Sequence, residues 1–174
     1  MKKQNQRSGM RLIKLKPWEE EGRWKFACAE EVDHYFRRTL WEAAPSANDS
    51  GSGRFRFPSA AGKMGPTDPD TGDLLLFQYE AHVMYFATAA SSRRENPDGS
   101  YHIEIAPGSV IRIKTPIHYK ELERRLHREA GLPSTYSLEG QAWNKFCLGI
   151  NIDATKEILS KGGVEQIAGH SQQE

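Results

Sequence analysis

The feature that most constrains the fold is the dense apolar stretch at residues 72–90, GDLLLFQYEAHVMYFATAA. Two apolar runs, Leu74–Tyr79 and His82–Ala89, flank the short polar stretch Glu80-Ala81, and this pattern is typical of a β-hairpin. A hairpin with one face in water alternates apolar and polar residues, and neither run does so. We therefore expect both faces of this hairpin to be covered. The residues expected to be mostly buried are Leu75, Phe77, Val83, Tyr85 and Ile103.

The segments around the hairpin indicate an α+β fold. Strands are predicted at residues 11–16, 101–106 and 110–117, and helices at 29–44, 118–131 and 153–163, with Asp153 as the N-cap of the last helix. Residues 46–72 form a long loop rich in Gly, Ser and Pro. The resulting order of strand, helix, loop, four strands in a meander and helices predicts a small mixed β-barrel of about five to six strands, flanked by helices.

The length of 174 residues suits one domain, which we assign to residues 10–165. Residues 1–9 are interpreted as a disordered lead or an expression remnant, and residues 166–174 as a disordered tail. No apolar run approaches the roughly 20 residues of a membrane span, so we expect a cytoplasmic protein that does not bind membranes. Free buried thiols are then expected at Cys28 and Cys147, with a disulfide as the alternative.

The motifs of common catalytic sites are missing from the sequence. The six histidines show no H-x-x-x-H or H-E-x-x-H spacing, and there is no Walker loop, G-x-G-x-x-G or G-x-S-x-G. Pro-Asp pairs at residues 69–70 and 97–98 prompt a nuclease reading, but the following strand has Ala106 where such a site needs a lysine. We therefore expect no catalytic residues, no metal and no cofactor.

Aromatic residues interleaved with basic residues indicate a different chemistry. Planar side chains stack on bases, and arginines hold phosphates. The most unusual instance is GRFRFP at residues 53–58, inside the Gly-rich loop. Because the net charge is only +1, any nucleic-acid contact must come from a local basic patch. The residues predicted to contact a nucleic-acid backbone are Arg54, Arg56, Lys63, Arg93 and Arg94, and we expect the four arginines to face the same side.

The stretch TGDLLLFQYEAHVMYFATA, followed by YHIEIAPGSVIRIKTPIHYKELERRL, resembles the PUA-like superfamily, particularly its EVE and YTH branches. The resemblance is carried by Gly72-Asp73 before a strand, Ala87-Thr88-Ala89 at the end of the hairpin, and Pro116-Ile117 with Glu121-Leu122 at the start of a helix. It covers about residues 10 to 162. The loop at 46–72 is longer than is usual in that family.

The resemblance implies a DNA-binding reader rather than an enzyme. It implies a pocket between barrel and helix that accepts a modified, methylated base by base flipping, within the specificity domain of a restriction system that has a fused or associated nuclease or AAA+ motor. An RNA-binding PUA-like module, a small enzyme with an unrecognised site and a protein-interaction domain remain alternatives. The predicted pocket walls are Trp18, Trp24, Trp41 and Phe57, and the predicted base-edge contacts are Asn48, Asp49, Ser59 and Gln78. The tryptophans could instead be core residues, Trp41 above all because of its helical spacing.

Overall fold

The strands of this computed structural model form a six-stranded sheet and a three-stranded sheet. The structure describes residues 9–15, 26–42, 53–57, 70–97, 101–138, 146–148 and 150–167. The strands are β1 (Gly9–Leu15), β2 (Gly53–Phe57), β3 (Leu74–Tyr79), β4 (His82–Thr88), β5 (Arg94–Glu95), β6 (Tyr101–Ile105), β7 (Ile111–His118), β8 (Phe146–Leu148) and β9 (Val164–Gln166). The helices are α1 (Ala29–His34), a π-helical turn (Tyr35–Thr39), α2 (Leu40–Glu42), α3 (Tyr119–Glu129) and α4 (Ile152–Ser160). The predicted α+β class is therefore confirmed.

The hairpin of β3 and β4 lies at the centre of the larger sheet, whose strand order is β8-β1-β3-β4-β7-β9. Every residue of β3 is buried, and so are the five residues from Val83 to Ala87 of β4. Strand β1 is parallel to β3, so the chain must cross over between them, and it uses α1 and β2 for this. The expectation that both faces of the hairpin are covered is confirmed.

Side chains on the two faces of the hairpin enter separate apolar clusters. Leu75 and Phe77 point to the side of α1 and of the smaller sheet, whereas Leu74 and Leu76 point to the side of α3 and α4. The residues that we expected to form the core, Leu75, Phe77, Val83, Tyr85 and Ile103, are each 0% exposed. Continuous apolar sequence in β3 is thus explained by helices on one side and a helix with a second sheet on the other.

The smaller sheet has the order β2-β6-β5 and adjoins the end of the hairpin. An isolated bridge pairs Ala89, just after β4, with Ile105 at the end of β6. Strand β6 therefore leaves the larger sheet, and β4 pairs directly with β7. The predicted four-strand meander is wrong in this respect, and the described strands do not close into a barrel.

Several boundaries differ from the prediction. The predicted loop at 46–72 contains strand β2, because Phe55 packs into the core as the alternating sequence of a half-buried strand requires. Asn151, not Asp153, is the N-cap of α4, and its side chain accepts the Ala154 N–H at 3.0 Å. The fold also continues past residue 165, since Ile167 is buried and its N–H donates to Val110 O at 2.9 Å.

A buried carboxylate joins the starts of β1 and β3. Asp73 Oδ1 accepts the Gly9 N–H at 3.1 Å, and Asp73 Oδ2 accepts the Asp70 N–H at 2.8 Å. Arg11 Nε lies 3.8 Å from Asp73 Oδ2, and both side chains are 1% exposed. Burial raises the pKa of Asp73, while the backbone donors and Arg11 act in the opposite direction. The Gly-Asp pair noted in the sequence thus fixes the relative position of two parallel strands.

Replacing Phe77 by Ala should lower the free energy of unfolding by about 3–5 kcal/mol, because it leaves a cavity among buried rings. The Phe77 ring lies 4.8 Å from that of Phe36 and 5.2 Å from that of Phe55. Urea unfolding measures the loss, and Phe77→Leu, which retains more of the volume, should lose less. A loss for Phe77→Ala no larger than the roughly 1 kcal/mol of an average substitution would contradict this core.

Candidate nucleic-acid interface

The three-stranded sheet brings together three of the arginines that were predicted to contact a nucleic-acid backbone. In the register of β2 with β6, Arg54 is opposite Glu104 and Arg56 is opposite His102. In the register of β5 with β6, Arg94 is also opposite His102. Directly opposed residues of neighbouring strands share a face of a sheet. The three arginine positions therefore lie on one face, which we call the arginine face.

The opposite face of the same sheet packs on the core. Phe55, Ile103 and Ile105 alternate with the residues of the arginine face and are buried beside Phe77. Two residues on a strand that are two positions apart lie about 6.6 Å apart along it. The core contact of Phe55 thus orients the whole of β2 and determines which face its arginine positions occupy.

Polar contacts order the middle of the arginine face. Arg94 is 59% exposed, and its Nε lies 3.9 Å from Glu104 Oε2, whose side chain is only 13% exposed. The Glu104 N–H donates to Ser91 Oγ at 3.1 Å. His102 is nearly buried, with Nδ1 2.5 Å from Asn96 Oδ1. His102 and Glu104 of the central strand are therefore held in place by polar contacts, and Arg94 extends beyond them into solvent.

Arg93 does not share this face. Its guanidinium carbon lies 4.5 Å from the centroid of the Tyr101 ring, which packs against the core cluster on the other side of the sheet. Such a cation–π contact holds a guanidinium flat against a ring. The expectation that all four arginines face one side is therefore wrong for Arg93, because neighbouring residues of an extended chain point in opposite directions.

Two predicted pocket residues lie inside the protein. Trp41 is 1% exposed, and its Nε1–H donates to Phe36 O at 2.8 Å, so it has the core role that was the alternative for it. Gln78 is 4% exposed, and its Nε2–H donates to Glu80 O at 2.7 Å. Gln78 Oε1 is buried and accepts no hydrogen bond from the described part of the chain. A buried acceptor of this kind is costly unless something donates to it.

The remaining predicted pocket residues are only partly covered by the structure. Phe57 belongs to strand β2, where its backbone is opposite Tyr101. The other predicted site residues, Trp18, Trp24, Asn48, Asp49, Ser59 and Lys63, lie outside the described residues.

The described residues on either side of the segment that carries Trp18 and Trp24 lie near one tyrosine. Leu15, the last described residue before this segment, is opposite Tyr79 in the register of β1 with β3. Phe26, the first described residue after it, accepts a hydrogen bond from the Tyr79 hydroxyl at 2.9 Å. Leu15 and Phe26, the described residues on either side of residues 16–25, therefore both lie near Tyr79 at the end of β3.

A network of two carboxylates, two arginines and a tyrosine was missed from the sequence. The Tyr85 hydroxyl donates to Asp33 Oδ1 at 2.5 Å, and Arg112 Nε donates to the same oxygen at 3.2 Å. Glu165 Oε1 lies 3.0 Å from an Arg37 amino nitrogen and 3.9 Å from Arg112. The network joins α1 and the π-helical turn to strands β4, β7 and β9.

The electrostatics of this network follow from its geometry. Burial, followed by the hydrogen bond to Asp33, raises the pKa of Tyr85 well above its usual value. The hydrogen bond from Arg37 lowers the pKa of Glu165. Asp33 and Arg37 are four residues apart on one helix face, which is a signal that the sequence contains. Their partners could not be found, because the pairing of β7 with β9 was not predicted.

π-helical turns are frequent at functional sites, and this one lies where the network meets the core. The Phe36 ring in the turn stacks on Tyr85 with centroids 4.3 Å apart and planes 19° apart. The charges of Asp33, Arg37, Arg112 and Glu165 sum to zero, so the network neutralises itself. We therefore assign it to holding α1 against the sheet and place the candidate interface at the arginine face.

No protein-family model matches this chain, and neither a curated protein nor a solved structure shows significant similarity to it. In the part of the chain that the structure describes, no three His, Cys, Asp or Glu side chains are grouped so that they could hold a metal ion. Nor is any helix within the described ranges long and apolar enough to cross a membrane.

Replacing Tyr85 by Phe should lower the free energy of unfolding by about 1.5–3 kcal/mol, since it removes a buried hydrogen bond to a charged group. The raised pKa means that the hydroxyl's contribution is complete below pH 10.0, the usual pKa of tyrosine, and is lost as the pH rises toward the folded-state pKa. Between pH 8 and 11 the free energy of unfolding, measured by urea unfolding, should therefore fall less steeply for Tyr85→Phe than for the wild type.

The matched control for this prediction is Tyr119→Phe, on the other side of the sheet. It should keep the alkaline decline of the wild type. A Tyr85→Phe variant with wild-type stability at pH 8 would show that the hydrogen bond to Asp33 contributes nothing.

Proposed function

We propose that this chain is a nucleic-acid-binding module that recognises a modified, methylated base in DNA. The observation that carries the proposal is the arginine face, where three arginine positions on two edge strands flank a single central strand. Guanidinium groups bind phosphate oxygens through paired hydrogen bonds, so they suit a phosphate backbone better than lysines do. Phosphate contacts of this kind position a protein on its nucleic acid.

Recognition of one base requires a pocket as well as backbone contacts. Leu15 and Phe26, which flank the segment that carries Trp18 and Trp24, both lie near Tyr79, and this supports the convergence of the two tryptophans at one place. Extrusion of a base costs a few kcal/mol, and stacking between aromatic side chains returns about 1–3 kcal/mol for each base. We propose that these two tryptophans, with Phe57, form the walls of that pocket.

Discrimination of a methylated base also needs polar groups, because burial of one methyl contributes only about 0.8 kcal/mol. Gln78 has a buried Oε1 with spare acceptor capacity close to the turn of the hairpin, so it is our first candidate to accept a hydrogen bond from a base edge. Asn48, Asp49 and Ser59 are proposed for the same task on the strength of their sequence positions. All of them would read the edge of the base rather than react with it.

The proposed architecture is a PUA-like barrel of the EVE and YTH type. The bridge between Ala89 and Ile105 supports it, since this contact makes the two sheets continuous at one edge around a shared core. The proposed biological role is the specificity domain of a restriction or defence system. Cleavage would then be the task of a fused or associated nuclease or AAA+ motor, and this chain would be a reader without catalysis of its own.

Replacing Arg54, Arg56 or Arg94 singly by Gln should weaken binding to all oligonucleotides about equally. Each lost phosphate contact should reduce the slope of log K against log salt concentration by about 1. Fluorescence anisotropy with methylated duplex, unmethylated duplex and single-stranded RNA, each over a range of salt concentrations, measures both quantities. Lys161→Gln, an exposed charge on the far side of the larger sheet, is the control and should leave the slope unchanged.

The outcomes separate the candidate partners. A preference for the methylated duplex supports the proposal, and a preference for RNA would replace DNA by RNA as the partner. Unchanged slopes in all three arginine variants would move the interface elsewhere, and no binding to any oligonucleotide would refute the proposed function.

Replacing Trp18 or Trp24 by Ala should weaken binding to the methylated duplex by roughly 5- to 150-fold, because each removes one stacking surface worth about 1–3 kcal/mol. The melting temperature should stay close to that of the wild type, since a pocket wall is not a core residue. Trp41→Ala is the matched contrast: it empties a core position and should lower the melting temperature strongly. Loss of thermal stability with unaltered affinity in Trp18→Ala and Trp24→Ala would make these tryptophans core residues too.

A further inference from the structure

The outermost side chains of helix α3 are all basic. Leu122 and Leu126 face the core, and Lys120, Arg124 and Arg128 occupy the side of the helix that points directly away from them. All three are exposed, and Arg124 and Arg128 are each 61% exposed. A spacing of four residues places successive members about 6 Å apart along the helix axis. We call these three residues the α3 ridge.

The acidic residues of α3 lie beside the ridge or point away from it. Glu121 pairs with Arg124, and Glu129 pairs with Arg128. Glu123 faces the following segment, where its Oε1 accepts the Leu138 N–H at 2.7 Å. Exposed pairs of this kind are weak and solvated, so both arginines remain free to exchange a carboxylate for a phosphate.

Three rings lie at the start of the α3 ridge, with His118 in contact with each of the other two. His82 and His118 are opposite each other in the register of β4 with β7, with ring centroids 5.2 Å apart. The Tyr119 ring stacks on His118, with centroids 4.9 Å apart and planes 24° apart. His118 Nδ1 accepts the Lys120 N–H at 3.1 Å and so orients its ring against the helix. His82 is exposed.

Rings next to a row of cations form the usual surface for single-stranded nucleic acid, where bases stack and phosphates follow the basic groups. A duplex cannot use such rings unless a base is extruded, because its bases are already stacked on one another. The three rings lie at the turn of the central hairpin, and the bridge to the arginine face lies at its other end. The six residue steps from His82 to Thr88 separate these ends by about 20 Å.

We propose that the α3 ridge, with His82, His118 and Tyr119, binds a single-stranded stretch of nucleic acid that continues from the duplex on the arginine face. This inference rests on the proposed function and extends it to a second contact surface. The ridge holds successive phosphates, and the exposed His82 ring receives a base. A single-stranded tail must then be several nucleotides long before it strengthens binding, because it has to reach the far end of the hairpin and the opposite side of the larger sheet, where α3 lies.

The test compares a blunt methylated duplex with the same duplex carrying a 10-nucleotide single-stranded tail. The wild-type protein should bind the tailed duplex at least about 10-fold more tightly, and a 2-nucleotide tail should give no gain. The triple variant Lys120→Gln, Arg124→Gln, Arg128→Gln should lose the gain, with a salt slope on the tailed duplex lower by about 2 to 3. Its affinity for the blunt duplex should remain that of the wild type.

A second triple variant controls for the loss of charge. This control variant is Lys114→Gln, Lys156→Gln, Lys161→Gln. It also removes three positive charges, but from β7 and from α4 and its end, and it should keep the gain from the tail. His82→Ala should reduce affinity for the tailed duplex about 5-fold, whereas His82→Phe, which keeps a ring, should not.

The inference is overturned if the tail gives the wild type no gain, or if the α3 variant keeps that gain. In both cases the arginine face can still bind the blunt duplex, and the proposed function then stands. If the wild type binds neither the blunt nor the tailed duplex, the proposed function and this inference fail together.

Discussion

Burial of both faces of the β3–β4 hairpin is the constraint on which the rest of the structure depends. The five residues Val83–Ala87 and the whole of β3 are removed from water, so the chain must supply a cover on each side. Helices α3 and α4 cover one face, and α1 with the smaller sheet covers the other. The carboxylate of Asp73 fixes β1 beside the hairpin. This contact also sets where the crossover that contains α1 and β2 begins.

The proposed interface follows from that cover. Strand β2 reaches the core through Phe55, whose ring lies 5.2 Å from that of Phe77 in the hairpin. Because side chains alternate along a strand, the contact that covers the hairpin also places Arg54 on the outer face. The π-helical turn and the network around Asp33 hold α1 against the larger sheet. Packing of the core and presentation of the arginines are thus two results of one arrangement.

The sequence predicted the elements whose cause is local. The hairpin, helix α3 and strand β6 follow from the pattern of apolar residues, and each is found where it was expected. The pairing of β2 with β6 and the departure of β6 from the larger sheet link distant segments, which periodicity does not encode. The same limit applies to the site: GRFRFP was recognised as unusual, but only the register with β6 separates Arg93 from Arg54 and Arg94.

Hydrogen–deuterium exchange of the protein, with and without a methylated duplex, tests the central claim most directly. Backbone amides report where a ligand lies without any substitution in the chain, and protection can be resolved segment by segment. The account predicts slower exchange on addition of the duplex at residues 53–57, 91–97 and 101–105, the three strands that present the arginine face and their connecting residues. Binding of the duplex with no change in these segments, and protection elsewhere in the fold, would contradict it.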